Sequence, residues 1–336
     1  MGDSRFDHLQ SCGEENSPAL RAISTPTDCS AVTTFFNQLL NGLTQGSLFA
    51  LIALGYTMVY GVIGLINFAH GDLFMLGGML SLSLAGWFGL TLGGVSGWGA
   101  VAGILAMILI SGVFCGLLNV GINKVVYQPL RNSPKLVPLV SAIGVSFVLM
   151  NIGQLGWGTN PLNFPTLVAK WNLLEGTGLV FMLRDLLVVS ITVPLMVGLT
   201  ILVQYTKLGK AMRAVEQNPA AAQLMGIDTE QVISITFFIG GALAGAASVI
   251  YGLWTATVKA DMGFQNGLYA FTAAVVGGIG SLPGAVLGGL IIGLVRAFGS
   301  EYLGDRWTGA LIFSVLIVVL IFRPAGLLGE AAKEKV

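Results

Sequence analysis

Long apolar runs separated by short polar stretches fill the chain from residue 34 to residue 322. A transmembrane helix needs about 20 consecutive apolar residues to cross a hydrocarbon core of about 30 Å. Apolar windows of suitable length lie at residues 34–66, 72–88, 99–121, 137–155, 184–205, 231–253, 267–281, 285–300 and 308–322. This pattern predicts an all-α polytopic membrane protein with about eight or nine transmembrane helices.

Two of these windows do not have the length of one straight crossing. The first runs for about 33 residues, or about 50 Å of helix, so it is either tilted and extended or broken near residue 41 or 46. The window at 267–281 is short and leads into a Ser-Leu-Pro-Gly turn at 281–284. Because a turn at membrane depth must be covered by protein or by a cavity, we expect one or two broken or re-entrant elements.

Basic residues in short loops predict the orientation, since cytoplasmic loops are enriched in lysine and arginine. Two loops, 122–136 and 206–230, carry such residues at Lys124, Arg131, Lys135, Lys207, Lys210 and Arg213. We expect both loops and the C-terminus to be cytoplasmic, and the loop at 156–183 to be external.

The polar segments outside the apolar region define the domain organisation. Residues 1–33 form a polar tail without the apolar core of a secretory signal, and we expect this tail to be disordered. Residues 34–328 form the transmembrane domain, and residues 329–336 form a C-terminal tail that we expect to be cytoplasmic.

Composition agrees with a membrane protein and narrows the function. Hydrophobic residues make up 54% of the chain and charged residues only 10%, whereas soluble domains carry about 25% charged residues. The 16 basic and 16 acidic residues cancel, so the charge balance gives no sign of a nucleic-acid partner, and we expect none.

The chain offers little catalytic or metal-binding chemistry. Its two histidines, His8 and His70, lie far apart, which does not suit a zinc site. A phosphate-binding Gly-x-x-x-x-Gly-Lys-Ser/Thr loop is absent from the sequence. We therefore expect no enzyme activity and no bound cofactor or metal, so energy for active transport must come from an ion gradient or a separate ATPase.

Polar residues inside apolar runs are the first candidate functional positions, because ionisable groups at membrane depth are costly and usually functional. Asn67, His70 and Asp72 lie where an apolar run breaks. We expect them to form a polar elbow that lines a pathway or fixes a discontinuous helix; alternatively, the break lies at the membrane interface and the groups meet water. We expect Arg296 to extend towards a helix end and the interface.

Glycines mark a second candidate helix break. Gly277, Gly278 and Gly280 precede the turn at 281–284. After the turn, Gly284 and Gly288, and likewise Gly289 and Gly293, are one helical turn apart, a spacing that lets helix backbones approach closely. The segment is therefore a helix hairpin beside a substrate pathway, a helix hairpin at an interface between two permeases, or a site of ordinary close packing.

The polar segment at 206–228 is the candidate docking site for a soluble partner. Asn218 is placed to cap a short helix, Pro219 suits its first turn, and Gly226 suits its end. The residues assigned to this role are Arg213, Asn218, Pro219, Ala221, Ala222 and Gly226. The alternative is an amphipathic segment that lies on the lipid surface.

Several short motifs resemble those of one transporter family. They occur in order at residues 56–61, 66–72, 126–131, 141–144, 209–214 and 271–281. Together they resemble the LivH-type permeases, the membrane subunits of branched-chain amino-acid ABC importers, and the resemblance covers about residues 35–328.

The resemblance implies a bacterial inner-membrane subunit that works with several partners. These are a LivM-type permease, two cytoplasmic ATPase subunits that use ATP, and a periplasmic amino-acid-binding protein. Ala221, Ala222 and Gly226 are similar to the core of the loop by which such permeases contact their ATPase, although Ala220 replaces its usual glutamate. The substrate stays open, because specificity in these importers rests largely with the binding protein. A urea or short-amide permease of the same family is one alternative, and a stand-alone channel or ion-coupled carrier is another.

Overall fold

The computed structural model describes the chain from residue 26 to residue 329 with short gaps. The described residues are 26–89, 98–131, 133, 134, 136–168, 171–176 and 178–329. The expectations for residues 1–25 and 330–336 therefore lie outside the described residues.

The described chain is almost entirely helical. Its helices are α1 (Pro26–Ile63), α2 (Ala69–Trp87), α3 (Trp98–Ile122), α4 (Gln128–Leu130), α5 (Leu136–Trp157), α6 (Leu183–Tyr205), α7 (Lys207–Gln217), α8 (Pro219–Leu224), α9 (Thr229–Thr255), α10 (Met262–Gly277), α11 (Leu282–Tyr302) and α12 (Asp305–Phe322). A π-helical segment, Asn123–Tyr127, joins α3 to α4. Two short antiparallel strands, β1 (Leu162–Asn163) and β2 (Thr257–Val258), pair with Leu162 opposite Val258.

The predicted all-α membrane fold is confirmed. Within the described residues, seven helices are long and apolar enough to cross a membrane. Two further predicted windows correspond to α2, which carries His70 and Asp72 in or near its first turn, and to α10, which has only 16 residues.

Helix α1 is continuous, so of the two alternatives for the first window the long helix is correct. The glycines near the suggested breaks serve another purpose. A Cβ atom on Gly46 would lie 2.8 Å from the Leu290 Cα atom, so this glycine lets α11 pack closely against α1. Residues 26–33, assigned to the polar tail from the sequence, are helical in the structure.

The helices divide into a buried core and an exposed periphery. In the membrane-spanning windows, 83% of α1 and 72% of α9 are buried, against 22% of α6 and 11% of α12. Helix α2 packs against α3, α5, α9 and α10, and every residue from Ala69 to Met79 is buried. Helix α2 is therefore a central element of the core despite its polar start.

Contacts between distant segments identify the two ends of the bundle. Arg131 forms an ion pair with Glu230, which joins the described parts of the basic loops 122–136 and 206–230. The amide nitrogen of Leu327 donates to the carbonyl oxygen of Val276 at 2.9 Å, and the α10–α11 turn lies beside α7. One end therefore carries both basic loops and the segment after α12, and the β1–β2 pair lies at the opposite end of α9.

Candidate functional site

The polar break between α1 and α2 lies inside the helix bundle. The Tyr127 hydroxyl donates to Asn67 Oδ1 at 2.7 Å, and Asn67 Nδ2 donates to Asn119 Oδ1 at 3.2 Å. Asn119 Nδ2 in turn donates to the carbonyl oxygen of Phe237 at 2.7 Å. Asn67 is therefore held by hydrogen bonds with the π-helical segment and with α3, and it lies in the interruption between the end of α1 at Ile63 and the start of α2 at Ala69.

His70 and Asp72 contact opposite neighbours of α2. Both side chains are 1% exposed, so the alternative in which they meet water at the interface is wrong. The His70 ring packs edge-on against Tyr56 of α1, with ring centroids 4.6 Å apart. Asp72 Oδ2 accepts a hydrogen bond from the Ser146 hydroxyl of α5. The elbow thus connects α2 to helices on two sides.

Glycines allow the start of α2 to lie against the start of α10. A Cβ atom on Gly71 would lie 2.5 Å from the carbonyl oxygen of Gly263 and 2.9 Å from the Gly267 Cα atom. A backbone contact of this kind requires small residues on both helices. The depth and direction of α2 therefore depend on its glycines as well as on its polar groups.

Two of the cavities beside the elbow differ greatly in size. The cavity that Asn67, Tyr127 and Phe237 line has a volume of about 10 Å³, which suffices for one water molecule. The second, of about 220 Å³, is lined by Gly64, Arg131 and other residues at the end with the basic loops. The elbow itself is closed in this conformation, so passage of a solute there requires helix movement.

The glycines of the second candidate helix break lie at the end of α10 and in the turn between α10 and α11. Helix α10 ends at Gly277, and both Gly278 (φ 113°) and Gly280 (φ 94°) have positive φ angles. The Leu328 amide nitrogen donates to the Gly277 carbonyl oxygen at 2.9 Å, and the Ser281 hydroxyl caps α11. The segment after α12 therefore supplies hydrogen bonds to the last carbonyl groups of α10.

Helix α7 is an amphipathic helix packed onto the end of the bundle. Gly209, Met212 and Val215 are buried on one face, and α7 packs against α1, α6 and α9. Arg213 donates to the carbonyl oxygen of Val203 and, at 3.3 Å, to that of Gln204. Arg213 therefore caps the C-terminus of α6 within the chain.

Helix α8 has the local structure that its sequence predicts. Asn218 Oδ1 accepts a hydrogen bond from the Ala221 amide nitrogen at 3.1 Å, and Pro219 is the first helical residue. Gly226 has a φ of 82°, and the Ile227 amide nitrogen donates to the Ala222 carbonyl oxygen at 3.0 Å. This pattern is a Schellman motif, and it confirms the predicted helix end.

The tip of α8 carries an apolar surface that the sequence reasoning missed. Leu224 is 89% exposed and Met225 is 82% exposed, whereas Ala222 packs inward at 4%. The sequence signal for this surface is two large apolar residues immediately before a helix-ending glycine. Sequence reasoning also missed Asn119, Tyr127 and Ser146, since nothing in the sequence shows which residues lie beside the elbow.

Metal-binding chemistry is not evident in the described part of the chain. No group of three or more His, Cys, Asp or Glu side chains lies close enough there to hold a metal ion. The arrangement instead combines a closed, buried polar elbow within the helix bundle with a capped helix, α8, that is exposed at the end of the bundle.

Comparison with protein families decides between the transport classes. The family described as branched-chain amino acid transport system / permease component matches residues 38–320. The chain belongs to this family. It is accordingly a multi-pass membrane permease and not an enzyme.

Individual relatives agree with the family assignment. The permease is 41% identical over 311 residues to "High-affinity branched-chain amino acid transport system permease protein BraD" of Pseudomonas aeruginosa, covering 90% of this chain and 98% of the relative. It is 40% identical over 306 residues to the corresponding LivH protein of Escherichia coli, with the same coverage. The Escherichia coli LivM protein is 21% identical over 304 residues, covering 85% of this chain and 68% of LivM. No solved structure matches the permease.

Proposed function

We propose that this permease is the membrane subunit of a bacterial inner-membrane ABC importer for branched-chain or other neutral amino acids. The observation that carries this proposal is the rigid helix α8, which presents exposed Leu224 and Met225 at the end of the bundle with the basic loops. A transporter that works alone has no need for an apolar surface on the aqueous side, whereas a subunit driven by separate ATPases needs a contact for them. ATP is used by those partners and not by this chain.

Helix α8 is placed to transmit movement into the membrane. Asn218 and Pro219 fix its start and Gly226 fixes its end, so the six-residue helix moves as a unit. Buried Ala222 ties α8 to the bundle, and α7 continues the contact to α1 and α9. Closure of an ATPase pair would therefore tilt the core helices as rigid bodies and alternate the access of the pathway.

Arg213 has a supporting role in this proposal. Its guanidinium binds the last carbonyl groups of α6, so it positions α7 and does not itself reach a partner. Ala221 lies on the exposed side of α8 and Ala222 on the buried side, so Ala221 contributes to the docking face and Ala222 to its attachment.

The orientation of the bundle in the membrane also gives the places of the binding protein and of the second permease. We assign the end with α8 and the basic loops to the cytoplasm, because cytoplasmic loops are enriched in lysine and arginine. The opposite end, with the β1–β2 pair, faces a periplasmic amino-acid-binding protein. A LivM-type permease provides the second half of the pathway, which in this chain passes the elbow at Asn67, His70 and Asp72 and the glycine turn at 277–280.

Uptake by a reconstituted system tests the proposal. Proteoliposomes should take up radiolabelled leucine when they contain this permease, the LivM-type permease, both ATPase subunits and the binding protein, and unlabelled alanine, proline and urea should be compared as competitors. Vesicles with this chain alone should take up none. Uptake by the chain alone would favour a solitary carrier, and competition by urea alone would favour an amide permease.

A double substitution tests the docking surface itself. Leu224→Ser with Met225→Ser should abolish most leucine uptake and weaken copurification of the ATPases, because it removes the exposed apolar contact without touching the core. Val125→Ser is the matched control, since Val125 is also an exposed apolar residue at the end with the basic loops but lies in the π-helical segment and not in α8. Wild-type uptake by the double variant would contradict docking through α8.

A further inference from the structure

Arg296 is an ionisable residue on a membrane-spanning helix that the proposed docking function does not use. Its Cζ atom lies 5.4 Å from the ring centroid of Phe49 and 5.6 Å from that of Tyr269. These rings belong to α1 and α10, and they are 2% and 6% exposed. The guanidinium is therefore held among three core helices.

The position of the guanidinium contradicts the expected extension towards the helix end. Phe49 precedes the end of α1 by 14 residues, or about 21 Å of helix. Its neighbour Ala50 packs against Gly289, which precedes Arg296 by about 10 Å along α11. The side chain consequently runs from its own Cα towards the middle of the membrane, where an unpaired charge is costly.

The charge has no counter-ion within the described residues. Arg296 Nη1 is buried without a hydrogen-bond partner. Glu301, the acidic residue on the same helix, lies at the exposed end of α11 and accepts a hydrogen bond from Gln38 at 2.8 Å. Stacking on aromatic rings attracts a cation electrostatically, but the ring faces do not replace the hydrogen bonds that a guanidinium makes in water. The rings therefore lie over the guanidinium while the N–H groups of its buried Nη1 atom have no acceptor.

Further polar groups lie on the helices around Arg296. Gln45 is one helical turn before Phe49 on the same face of α1, and its Oε1 is buried without a partner. Gln265 Nε2 donates to the Tyr269 hydroxyl at 3.0 Å. A cation and two rings thus meet between α1, α10 and α11, and an amide acceptor lies one helical turn away on α1.

We propose that Arg296, Gln45, Phe49 and Tyr269 form a station that binds the carboxylate of the amino acid during its passage through the permease. This inference rests on the proposed transport function and specifies the cargo. The guanidinium edge matches a carboxylate in a bidentate arrangement, and Gln45 Oε1 is available to accept from the substrate ammonium group. The two rings suit an apolar side chain. Urea has no carboxylate, so the site favours an amino acid.

Uptake by substituted importers tests the station. In the complete reconstituted system, Arg296→Gln should lower leucine uptake at least about tenfold, as expected for the loss of a charge-assisted pair. Arg296→Lys should retain an intermediate rate, and ATP hydrolysis should persist in both variants. Lys124→Gln is the control, since Lys124 is an exposed cation in the π-helical segment between α3 and α4. Leucine uptake by Arg296→Gln within twofold of the wild type would overturn the proposal.

Photolabelling of the wild-type importer gives a second test that does not depend on a variant folding. A diazirine analogue of leucine, illuminated during turnover, should label peptides that contain residues 45–49 or 265–269. Label confined to other helices would overturn the station while leaving the transport function intact. A wild-type importer that takes up urea but no amino acid would instead refute the proposed function, and the carboxylate station with it.

Discussion

Two helices of this permease begin at polar breaks, α2 at Ala69 and α8 at Pro219, and they are stabilised in opposite ways. The start of α2 is held by residues distant in sequence, through Asn67, Asp72 and the glycine contacts with α10. The start and end of α8 are held almost wholly by residues of the same short segment. The start of α2 therefore depends on the packing of the core, whereas α8 forms from its own local sequence and is only attached to the bundle.

This difference separates stability from coupling. Substitutions at the start of α2 should lower the free energy of unfolding, because they affect contacts between several core helices. Substitutions in α8 should change the contact with a partner and leave the fold nearly unaltered. The following predictions are ordered from the largest expected effect on stability to the smallest.

Gly71→Ala should have the largest effect. The added Cβ atom would lie 2.5 Å from the Gly263 carbonyl oxygen, and neither backbone can move without displacing α2 or α10. We expect a loss of about 2–3 kcal/mol in the free energy of unfolding. The measurement is the melting temperature of the detergent-purified permease, together with its amount in the membrane.

The matched control for this prediction is Gly144→Ala in α5. Space around Gly144 is open to 4 Å, so the substitution should be neutral or slightly stabilising through the higher helix propensity of alanine. Equal melting temperatures for Gly71→Ala and Gly144→Ala would show that close packing of α2 on α10 does not matter for stability.

The contact between Asp72 and Ser146 should have an intermediate effect. A double-mutant cycle with Asp72→Ala and Ser146→Ala isolates the hydrogen bond between α2 and α5. Interhelical hydrogen bonds in membrane proteins contribute about 0.6 kcal/mol on average and up to about 1.7, so we expect a coupling free energy of about 1 kcal/mol. Strictly additive losses in the unfolding free energy would mean that the bond contributes nothing.

The same contrast explains which features the sequence could predict. Helix α8 follows from local rules, since Asn218, Pro219 and Gly226 each favour their observed position whatever surrounds them. The break at Asn67 was also visible as an interruption of an apolar run. The sequence does not reveal that Asn119 and Tyr127 are the hydrogen-bond partners of Asn67. They lie on elements more than 50 residues away in sequence, and one sequence does not show such pairs.

The roles of Gly46 and Arg296 depend on how helices pack against each other, and the sequence alone does not show this packing. Glycine at residue 46 is compatible with a helix break, and only the presence of α11 beside it shows that it permits a close crossing instead. Arg296 was expected at the interface, since a long cationic side chain near a helix end usually extends to water. The aromatic rings of Phe49 and Tyr269, which hold it inward, come from two other helices.

Substitutions at Gly226 should have the smallest effect on stability and a large one on transport. Gly226 has a φ of 82° and open space around its Cα atom, and asparagine and aspartate are among the side chains that best tolerate this conformation. We expect Gly226→Asn and Gly226→Asp each to change the free energy of unfolding by less than about 1 kcal/mol. Only aspartate places a negative charge at the end of α8, where the helix dipole disfavours it, next to the exposed apolar tip.

Gly226→Asp should therefore lose leucine uptake and ATPase binding while it retains its melting temperature, and Gly226→Asn should remain active. The checks are uptake and ATPase copurification in the reconstituted importer, beside thermal unfolding of each purified variant. Equal loss in both variants would attribute the effect to the backbone conformation at residue 226. Full activity of Gly226→Asp would contradict the coupling role of α8, because α8 would then be a capped surface helix that tolerates a charge where a partner is expected to bind.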